Sequence, residues 1–312
     1  MVFDTVTLGL FMASAVRLAA PILLASLGEL VSERAGVLNI GLEGIMLLAA
    51  FGAVFGLQAS AVPVFGVLAG AACGVAAAAV LALAVAVLRA DQIVVGIGFN
   101  ILALGTTSLL RELLLDPAFQ VPSLRSLSVY RLPYLSEIPV VGRALFSQSP
   151  ILYVGVVGAL LLWLTIRFTR IGLVIRAVGE GAGAADAAGI SVTAVRFGAM
   201  LFTGLLAGIA GAYLTLVASG GIFVDNITAG RGYLAVAVVI FGRWNPILVM
   251  VASILFGCAD ALQYQGQAIG LSISPPLLLM SPFLLALVAW TLLGKSKAGP
   301  SEIGIPFLRG QK

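Results

Sequence analysis

Continuous apolar runs alternate with short polar connections along almost the whole chain of 312 residues. A run of about twenty apolar residues is long enough for a helix to cross the hydrocarbon core of a membrane. The runs are continuous rather than alternating, which is atypical of a β-barrel. They fall at about 6–31, 37–58, 63–88, 93–115, 150–166, 195–218, 231–242, 246–264 and 277–294. The pattern predicts an all-α, polytopic transmembrane helical bundle of about 8–10 spans.

Two of these runs are irregular. The run 231–242 is too short to cross as a straight helix, so we expect it to be re-entrant or to cross where the bilayer or the protein is thin. In the first run, Pro21 cannot donate a hydrogen bond to the carbonyl of Arg17, which predicts a kink or a break. Arg17 itself lies in apolar sequence and either faces an aqueous path or is a paired or snorkelling arginine.

Lysine and arginine positions set the orientation, because cytoplasmic loops carry an excess of positive charge. We place the 167–196 loop and the C-terminal tail inside and let the short run cross. Nine crossings then put the N-terminus outside, with the three tryptophans (Trp163, Trp244, Trp290) near the inner interface. The inner basic residues are Arg34, Arg89, Arg167, Arg170, Arg176, Arg196, Arg243, Lys295, Lys297, Arg309 and Lys312, and the outer ones are Arg111, Arg125, Arg131, Arg143 and Arg231.

Composition narrows the chemistry. Only 10% of the residues are charged, against roughly 25% in soluble domains, which argues against a soluble enzyme, a disordered chain or a nucleic-acid partner. The sequence has no histidine, so histidine-based triads and metal sites are excluded, and no metal or cofactor is expected. Cys73 and Cys258 are interpreted as small core residues. Gly294-Lys295-Ser296 lacks the first glycine of a phosphate loop, so we expect no nucleotide site.

Glycines at four-residue spacing indicate close helix packing, because small residues let helices approach each other in lipid. This pattern is typical of any helical bundle and carries no functional information. The sets are Gly52 with Gly56, Gly66 with Gly70 and Gly74, and Gly204 with Gly208.

Polar residues inside the apolar runs are the candidates for function, because an unpartnered polar group in a membrane is costly. Asn39 and Glu43 are four residues apart and are expected to share one helix face, and Gln92, Gly96 and Asn100 repeat that spacing. Amides and carboxylates suit a neutral solute rich in hydroxyl or amide groups. The alternative is that they form hydrogen bonds between helices or cap helix ends. Other polar groups are Glu29 with Glu33, and Asp260 with Gln263 and Tyr264.

Two longer polar stretches interrupt the apolar pattern. The outer stretch, 116–150, is rich in proline and predicts an ordered cap, with a short interfacial helix at Val140–Phe146. It is either a docking surface or a simple connection. The inner stretch, 167–196, contains an alanine- and glycine-rich segment that predicts a short helix ending at Gly189. Its small side chains would enter a groove on another protein, with arginines around it reaching carboxylates, unless it is an ordinary connection.

Three segments resemble membrane permease subunits of bacterial ATP-binding-cassette importers, in the binding-protein-dependent family that serves nucleosides, simple sugars and branched-chain amino acids. They are SERAGVLNIGLEGIMLL (32–48), IRAVGEGAGAADAAGISV (175–192) and AGRGYLAVAVVIFGRWNP (229–246). The NIGLEG and GRGY…FGRWNP segments are most similar to the nucleoside and simple-sugar branch. The resemblance covers nearly the whole chain, in order.

This resemblance implies one transmembrane permease domain over 1–312, in the bacterial plasma membrane, with 295–312 as a cytoplasmic tail. The implied partners are two cytoplasmic ATP-binding-cassette domains, a second permease chain, an extracytoplasmic solute-binding protein and membrane lipid. Asn39–Gly44 and Gly230–Gly232 would shape the pathway or its gates, and Gly179–Gly189 would be the coupling helix. Family members often read Glu-Asn-Pro where this chain has Glu180-Gly181-Ala182, which leaves the start of that helix open. The resulting candidates are Asn39, Glu43, Gln92, Asn100 and Arg231 for the pathway, and Arg176, Glu180, Ala184, Ala185, Asp186 and Gly189 for ATPase coupling.

The implied function is import of nucleosides or simple sugars by alternating access, driven by ATP hydrolysis on a separate subunit, so that this chain is not itself an enzyme. The alternative is an ion-coupled secondary transporter or channel that uses Glu43, Asp260 and Arg17. An intramembrane enzyme would need two facing acids, which the sequence does not clearly supply.

Overall fold

The computed structural model describes residues 5–121, 127, 129–131, 133, 136, 138, 141–265, 274–293 and 299–308. Apart from two short strands that pair antiparallel, its regular structure is helical. The elements are α1 (Thr5–Arg34), α2 (Leu42–Ser60), α3 (Pro63–Ala82), α4 (Gln92–Leu114), β1 (Tyr130–Arg131), α5 (Val141–Phe146), β2 (Ser147–Gln148), α6 (Pro150–Phe168), α7 (Arg170–Glu180), α8 (Ala182–Ala187), α9 (Val192–Tyr213), α10 (Arg231–Phe241), α11 (Pro246–Gln265), α12 (Pro275–Leu279) and α13 (Ser281–Leu293). A π-helical turn extends α3 to Val87 and another extends α9 to Ala218.

Seven helices among the described residues are long and apolar enough to cross a membrane. They correspond to seven of the nine predicted runs, and the shorter α10 and α13 fall in the other two. The predicted polytopic helical bundle is therefore confirmed. The seven are α1, α2, α3, α4, α6, α9 and α11, with α3 and α9 extended by their π-helical turns.

Helix α1 continues through Pro21, so the break predicted there does not occur. Proline removes the hydrogen bond to the carbonyl of the residue four positions earlier, which is Arg17. The hydroxyl of Tyr213 on α9 donates to that same carbonyl at 3.0 Å. A neighbouring helix thus supplies the missing donor, which is how membrane helices tolerate an internal proline.

Helices α2, α3 and α9 pack through their glycines, as the spacing predicted. A Cβ built at Gly74 would lie 2.6 Å from the Cα of Gly208, and one built at Gly70 would lie 3.0 Å from the carbonyl oxygen of Ala49. Side chains at these positions would force the helices apart. Cys73 lies in the same region, half-buried, and its thiol donates to the carbonyl of Leu48 at 3.3 Å; Cys258 is also a half-buried free thiol.

The end of α1, the α7–α8 connection and the start of α9 meet at one end of the bundle. Arg196 Nε donates to the carbonyl of Ala35 at 3.2 Å, and Arg34 Nη2 donates to the carbonyl of Trp244 at 3.0 Å. We call this end inner, following the distribution of basic residues. Several residues used for the orientation lie outside the described residues or have side chains outside the description: Arg125, Arg131, Arg143, Trp290, Lys295, Lys297, Arg309 and Lys312. The Gly294-Lys295-Ser296 segment lies outside them as well.

The short apolar run forms only part of a crossing. Helix α10 has 11 residues, so it is about 16 Å long. It ends near the inner end and begins beside Glu43, while residues 219–230 connect it to the outer end of α9 without a regular helix. Backbone of this kind is tolerated at membrane depth where protein or a cavity shields it.

In the outer stretch, the described residues include α5, which agrees with the short helix expected at Val140–Phe146, although Val140 itself lies outside the description. The β1–β2 pair joins this stretch to the start of α6.

Candidate functional site

The connection that precedes α2 lies along one face of α4. Gln92 Oε1 accepts the N–H of Leu38 at 2.8 Å, and Asn100 Oδ1 accepts the N–H of Gly44 at 2.8 Å. Between them, a Cβ built at Gly96 would lie 2.8 Å from the backbone nitrogen of residue 41. The three positions therefore share one face, as their spacing predicted, and their side chains hold a backbone segment.

Asn100 is about 12 Å along α4 from its first residue, Gln92, at 1.5 Å per residue. Because Gly44 lies beside Asn100, α2 starts alongside the middle part of α4 rather than beside its first residue. The amide nitrogen of Asn100 also donates to the carbonyl of Ile40 at 2.9 Å and to the hydroxyl of Tyr233 at 2.8 Å. One buried amide thus joins α4, the connection before α2 and the first turn of α10.

Glu43 links the start of α2 to the start of α10. Its two carboxylate oxygens accept the backbone N–H groups of Gly230 at 2.8 Å and Gly232 at 2.6 Å. The first N–H groups of a helix have no partner within the helix and carry partial positive charge, so a carboxylate stabilises them. A Cβ at Gly232 would lie 2.6 Å from the Cα of Glu43, so only glycine allows this approach. The two motifs singled out in the sequence therefore meet inside the bundle, and we call this contact between 38–44 and 230–233 the junction.

Asn39 does not join the junction through its side chain. Helix α2 begins at Leu42, so Asn39 precedes it and does not share a helix face with Glu43; that prediction is wrong. Its backbone N–H donates to Glu29 Oε1 at 3.0 Å instead. Glu33, one turn further along α1, accepts a hydrogen bond from the indole N–H of Trp244. Both carboxyl groups are fully buried, and they anchor the connections at the inner end of α1.

Arg231 forms a buried ion pair with Asp260 of α11. The distance from Arg231 Nη2 to Asp260 Oδ2 is 3.3 Å, and the side chains are only 12% and 6% exposed. The charge distribution had assigned Arg231 to the outer side of the membrane. The structure shows it buried next to the junction, at the start of α10, and the outer-side assignment stays a prediction.

Tyr233 is the residue of this site that the sequence did not single out. Its hydroxyl accepts the hydrogen bond from Asn100, while 46% of the residue's surface stays exposed. An exposed tyrosine in an apolar run looks like a lipid-facing residue when only the sequence is read. Arg17 on α1 is also exposed, so both interpretations of its role remain predictions.

The short helix predicted in the 167–196 stretch is observed as α8, six residues that follow a break at Gly181. Gly189 has φ +84° and ends the segment, as expected, with the N–H of Ile190 donating to the carbonyl of Ala185 at 3.0 Å. Ala184 is exposed, whereas Ala185 is 4% exposed and packs inward. Of the remaining coupling candidates, Arg176 and Glu180 lie on α7 and Asp186 on α8; Glu180 is exposed, and the other two are half-buried.

At the outer end, a cavity of about 530 Å³ opens between α2, α4 and the connection after α9. The polar residues Gln58, Arg111 and Asp116 of its lining all have partners. Arg111 Nη1 lies 3.2 Å from Asp225 Oδ2, and the side-chain amide of Gln58 exchanges hydrogen bonds with the backbone of Asp116 at 3.0 and 3.2 Å. These contacts tie the outer ends of α2 and α4 together, and we assign no solute to the cavity.

Helices that begin inside a membrane bundle, around buried polar groups bonded to one another, are typical of transport proteins. Residues 11–289 match the family model described as branched-chain amino acid transport system / permease component, and the chain belongs to this family. It is a multi-pass permease of the bacterial plasma membrane.

Curated relatives match over most of their length. The chain is 35% identical to the nucleoside ABC transporter permease protein NupC of Lactococcus lactis over 98% of both chains. It is 35% identical to the guanosine ABC transporter permease protein NupQ of Bacillus subtilis, over 94% of this chain and 95% of the relative. It is 38% identical to the putative glucose ABC transporter permease protein TsgC13 of Haloferax volcanii, over 83% of this chain and 78% of the relative. No solved structure matches the chain.

Proposed function

We propose that this chain forms the translocation path of an ATP-driven importer for nucleosides, with simple sugars as the second substrate class. The observation that carries the proposal is the junction, in which Glu43 and Asn100 hold the start of α10 inside the bundle. Relatives that match over almost the whole chain are named as nucleoside and guanosine ABC transporter permeases, which supports the substrate class.

The pathway candidates then act mainly by shaping the path. Gln92, Asn100 and Glu43 direct their polar atoms at backbone groups of the junction. Tyr233 is the group that faces outward: its ring is exposed, and because its oxygen accepts from Asn100, its O–H proton is free to reach a solute. An aromatic ring with a hydroxyl suits a flat base that carries amide groups.

The same proposal assigns the energy source to other subunits. Two cytoplasmic ATP-binding-cassette domains would dock on α8 of this chain and of a second permease chain, and an extracytoplasmic binding protein would deliver solute. Alternating access follows if ATP binding moves α8 and thereby the helices joined to it. Shifting a two-state equilibrium from 1:99 to 99:1 takes about 5.5 kcal/mol of differential binding. Exposed apolar side chains along α4, including Ile101 and Leu102, would face lipid.

Uptake into reconstituted vesicles tests the proposal. The permease, the cognate ATPase and the binding protein are assayed against a panel of nucleosides and pentoses. We expect saturable nucleoside uptake that needs ATP and all three components. Uptake that persists without the ATPase would instead support the ion-coupled transporter. In that alternative Glu43 and Asp260 must exchange ions, yet Glu43 caps α10 and Asp260 is paired with Arg231.

A further inference from the structure

The C-terminal segment 299–308 returns to the break between α7 and α8. The N–H of Glu302 donates to the carbonyl of Gly179 at 2.9 Å, and the hydroxyl of Ser301 donates to the carbonyl of Glu180 at 2.7 Å. The side-chain oxygen Oε1 of Glu302 accepts the N–H of Ala182 at 3.3 Å. The last carbonyls of α7 and the first N–H of α8 are thus bonded by the same short segment.

This bonding compensates for a weak local sequence. Gly181 stands at the N-cap position of α8 and provides no side-chain hydrogen bond to it. Neither Gly181 nor Ala182 restricts the backbone as a proline would. A six-residue helix has little stability of its own, because most of its backbone groups lie in unbonded terminal turns. The position of α8 therefore depends on contacts from outside it.

Arg196 of α9 anchors the same segment to the bundle. Its side chain is 4% exposed, Nη1 donates to the carbonyl of Ile305 at 2.7 Å, and Nη2 lies 4.0 Å from Glu302 Oε2. The N–H of Gly304 also donates to the carbonyl of Gly36, after the end of α1, at 3.3 Å. The segment consequently bridges α8 to two membrane-spanning helices.

Apolar contacts complete the bridge. Phe307 packs against the cluster formed by Val178, Ala182, Ala185 and Val192. At the other end, Gly299 lies so close to the indole of Trp244 that a Cβ there would come within 2.8 Å of its ring.

We propose that residues 299–308 act as a strap that fixes α8 on α1 and α9, and that Glu302 and Arg196 are positioning residues for energy coupling. The inference rests on the proposed function, in which the ATPase meets α8. The strap transmits movement of α8 to the spans; without it, α8 moves on its flexible Gly181 hinge and the movement is lost.

The test compares Glu302→Ala with Glu302→Gln in the complete reconstituted transporter. Glutamine keeps an oxygen to accept the N–H of Ala182, whereas alanine does not. We expect the number of solutes imported per ATP hydrolysed to fall about fivefold in Glu302→Ala, the population change that loss of one helix cap produces. Glu302→Gln should stay within about twofold of the wild type, since the cap remains. ATP hydrolysis and the amount of assembled complex should be unchanged in both.

If Glu302→Ala imports as many solutes per ATP hydrolysed as the wild type, the proposed role of the strap is wrong. Absence of ATP-dependent uptake by the wild-type complex overturns the proposed function instead, so the two failures are distinguishable. If Glu302→Ala does not assemble, Phe307→Ala replaces it, with hydrogen exchange measured over residues 180–188 in the complex. Faster exchange in that segment alone supports the strap, and unchanged exchange contradicts it.

Discussion

The carboxylate of Glu43 lies 2.6 Å from the backbone nitrogen of Gly232, so that the first turn of α2 meets the first turn of α10. Residues 189 positions apart in sequence are thereby held in direct contact. The contact depends on both residue types. The carboxylate of Glu43 accepts two N–H groups, and the absence of a side chain at Gly232 lets the two backbones approach.

Substitution of Gly232 should therefore damage the fold locally. In Gly232→Ala, the new Cβ would meet the Cα of Glu43 at 2.6 Å, and backbone cannot move aside as a flexible side chain can. Overpacking of this kind costs about 1–3 kcal/mol, so the melting temperature of the purified protein should fall by several degrees and uptake should drop. Gly98→Ala is the matched control, because a Cβ at Gly98 has nothing within 4 Å. Equal melting temperatures for the two variants would contradict the packing argument.

The ion pair between Arg231 and Asp260 should behave as a buried pair. Asp260→Ala leaves the guanidinium uncompensated in a low-dielectric setting, which typically costs about 3–5 kcal/mol. The double variant Arg231→Met, Asp260→Leu removes both charges and should regain most of the lost thermal stability. Melting curves of the two variants decide this, and an unaltered curve for Asp260→Ala would show that the pair contributes nothing.

Uptake by the double variant carries separate information. If the stable double variant transports normally, the pair is structural. If it is stable but inactive, one of the two charges belongs to the pathway, as predicted for Arg231 from the sequence.

Tyr233 should influence solute affinity more than stability. Tyr233→Ala removes a half-exposed ring, and Asn100 keeps its hydrogen bond to the carbonyl of Ile40, so the protein should stay folded while KM for nucleoside uptake rises about tenfold, equivalent to roughly 1.4 kcal/mol. Tyr233→Phe keeps the ring and loses only the hydroxyl, so a smaller rise is expected. The assay is initial uptake against nucleoside concentration. An unchanged KM in Tyr233→Ala would place the ring outside the path.

Substitutions of Ala184, which is exposed, and Ala185, which is buried, distinguish an effect on docking from an effect on folding. Ala184→Glu adds a charged side chain on the exposed face, so the protein should reach the membrane and melt normally but lose co-purification with the ATPase and lose uptake. Ala185→Glu places a carboxylate in the cluster with Val178 and Val192, so it should lower the melting temperature. Normal uptake by Ala184→Glu would mean that α8 is not the coupling helix.

Much of the fold could be predicted from the sequence because the bilayer imposes a strong pattern. The apolar runs correspond to helices, and the spacing of Gln92, Gly96 and Asn100 correctly predicted a shared face. The break allowed for at Pro21 does not occur, because that expectation considered one helix alone. The donor that replaces the proline N–H comes from Tyr213, far away in sequence.

The candidate site was predicted only in part, for a similar reason. The sequence marks Asn39 and Glu43 as a pair, but it does not show that α2 starts at Leu42 and leaves Asn39 outside the helix. It also does not show that the partners of Glu43 are backbone N–H groups, which every residue type except proline carries. Glu302 is the one acidic residue after Asp260, yet nothing in the sequence indicates that it caps a helix 120 residues earlier.

The glycine contacts of α3 also constrain how the transporter moves. At Gly74 and Gly208 the two backbones touch without intervening side chains, so neither helix can rotate or slide past the other without steric collision. We therefore expect helices α2, α3 and α9 to move together as one rigid unit. Any conformational change is then accommodated outside these helices, for example in residues 219–230 ahead of α10, which form turns rather than a regular helix.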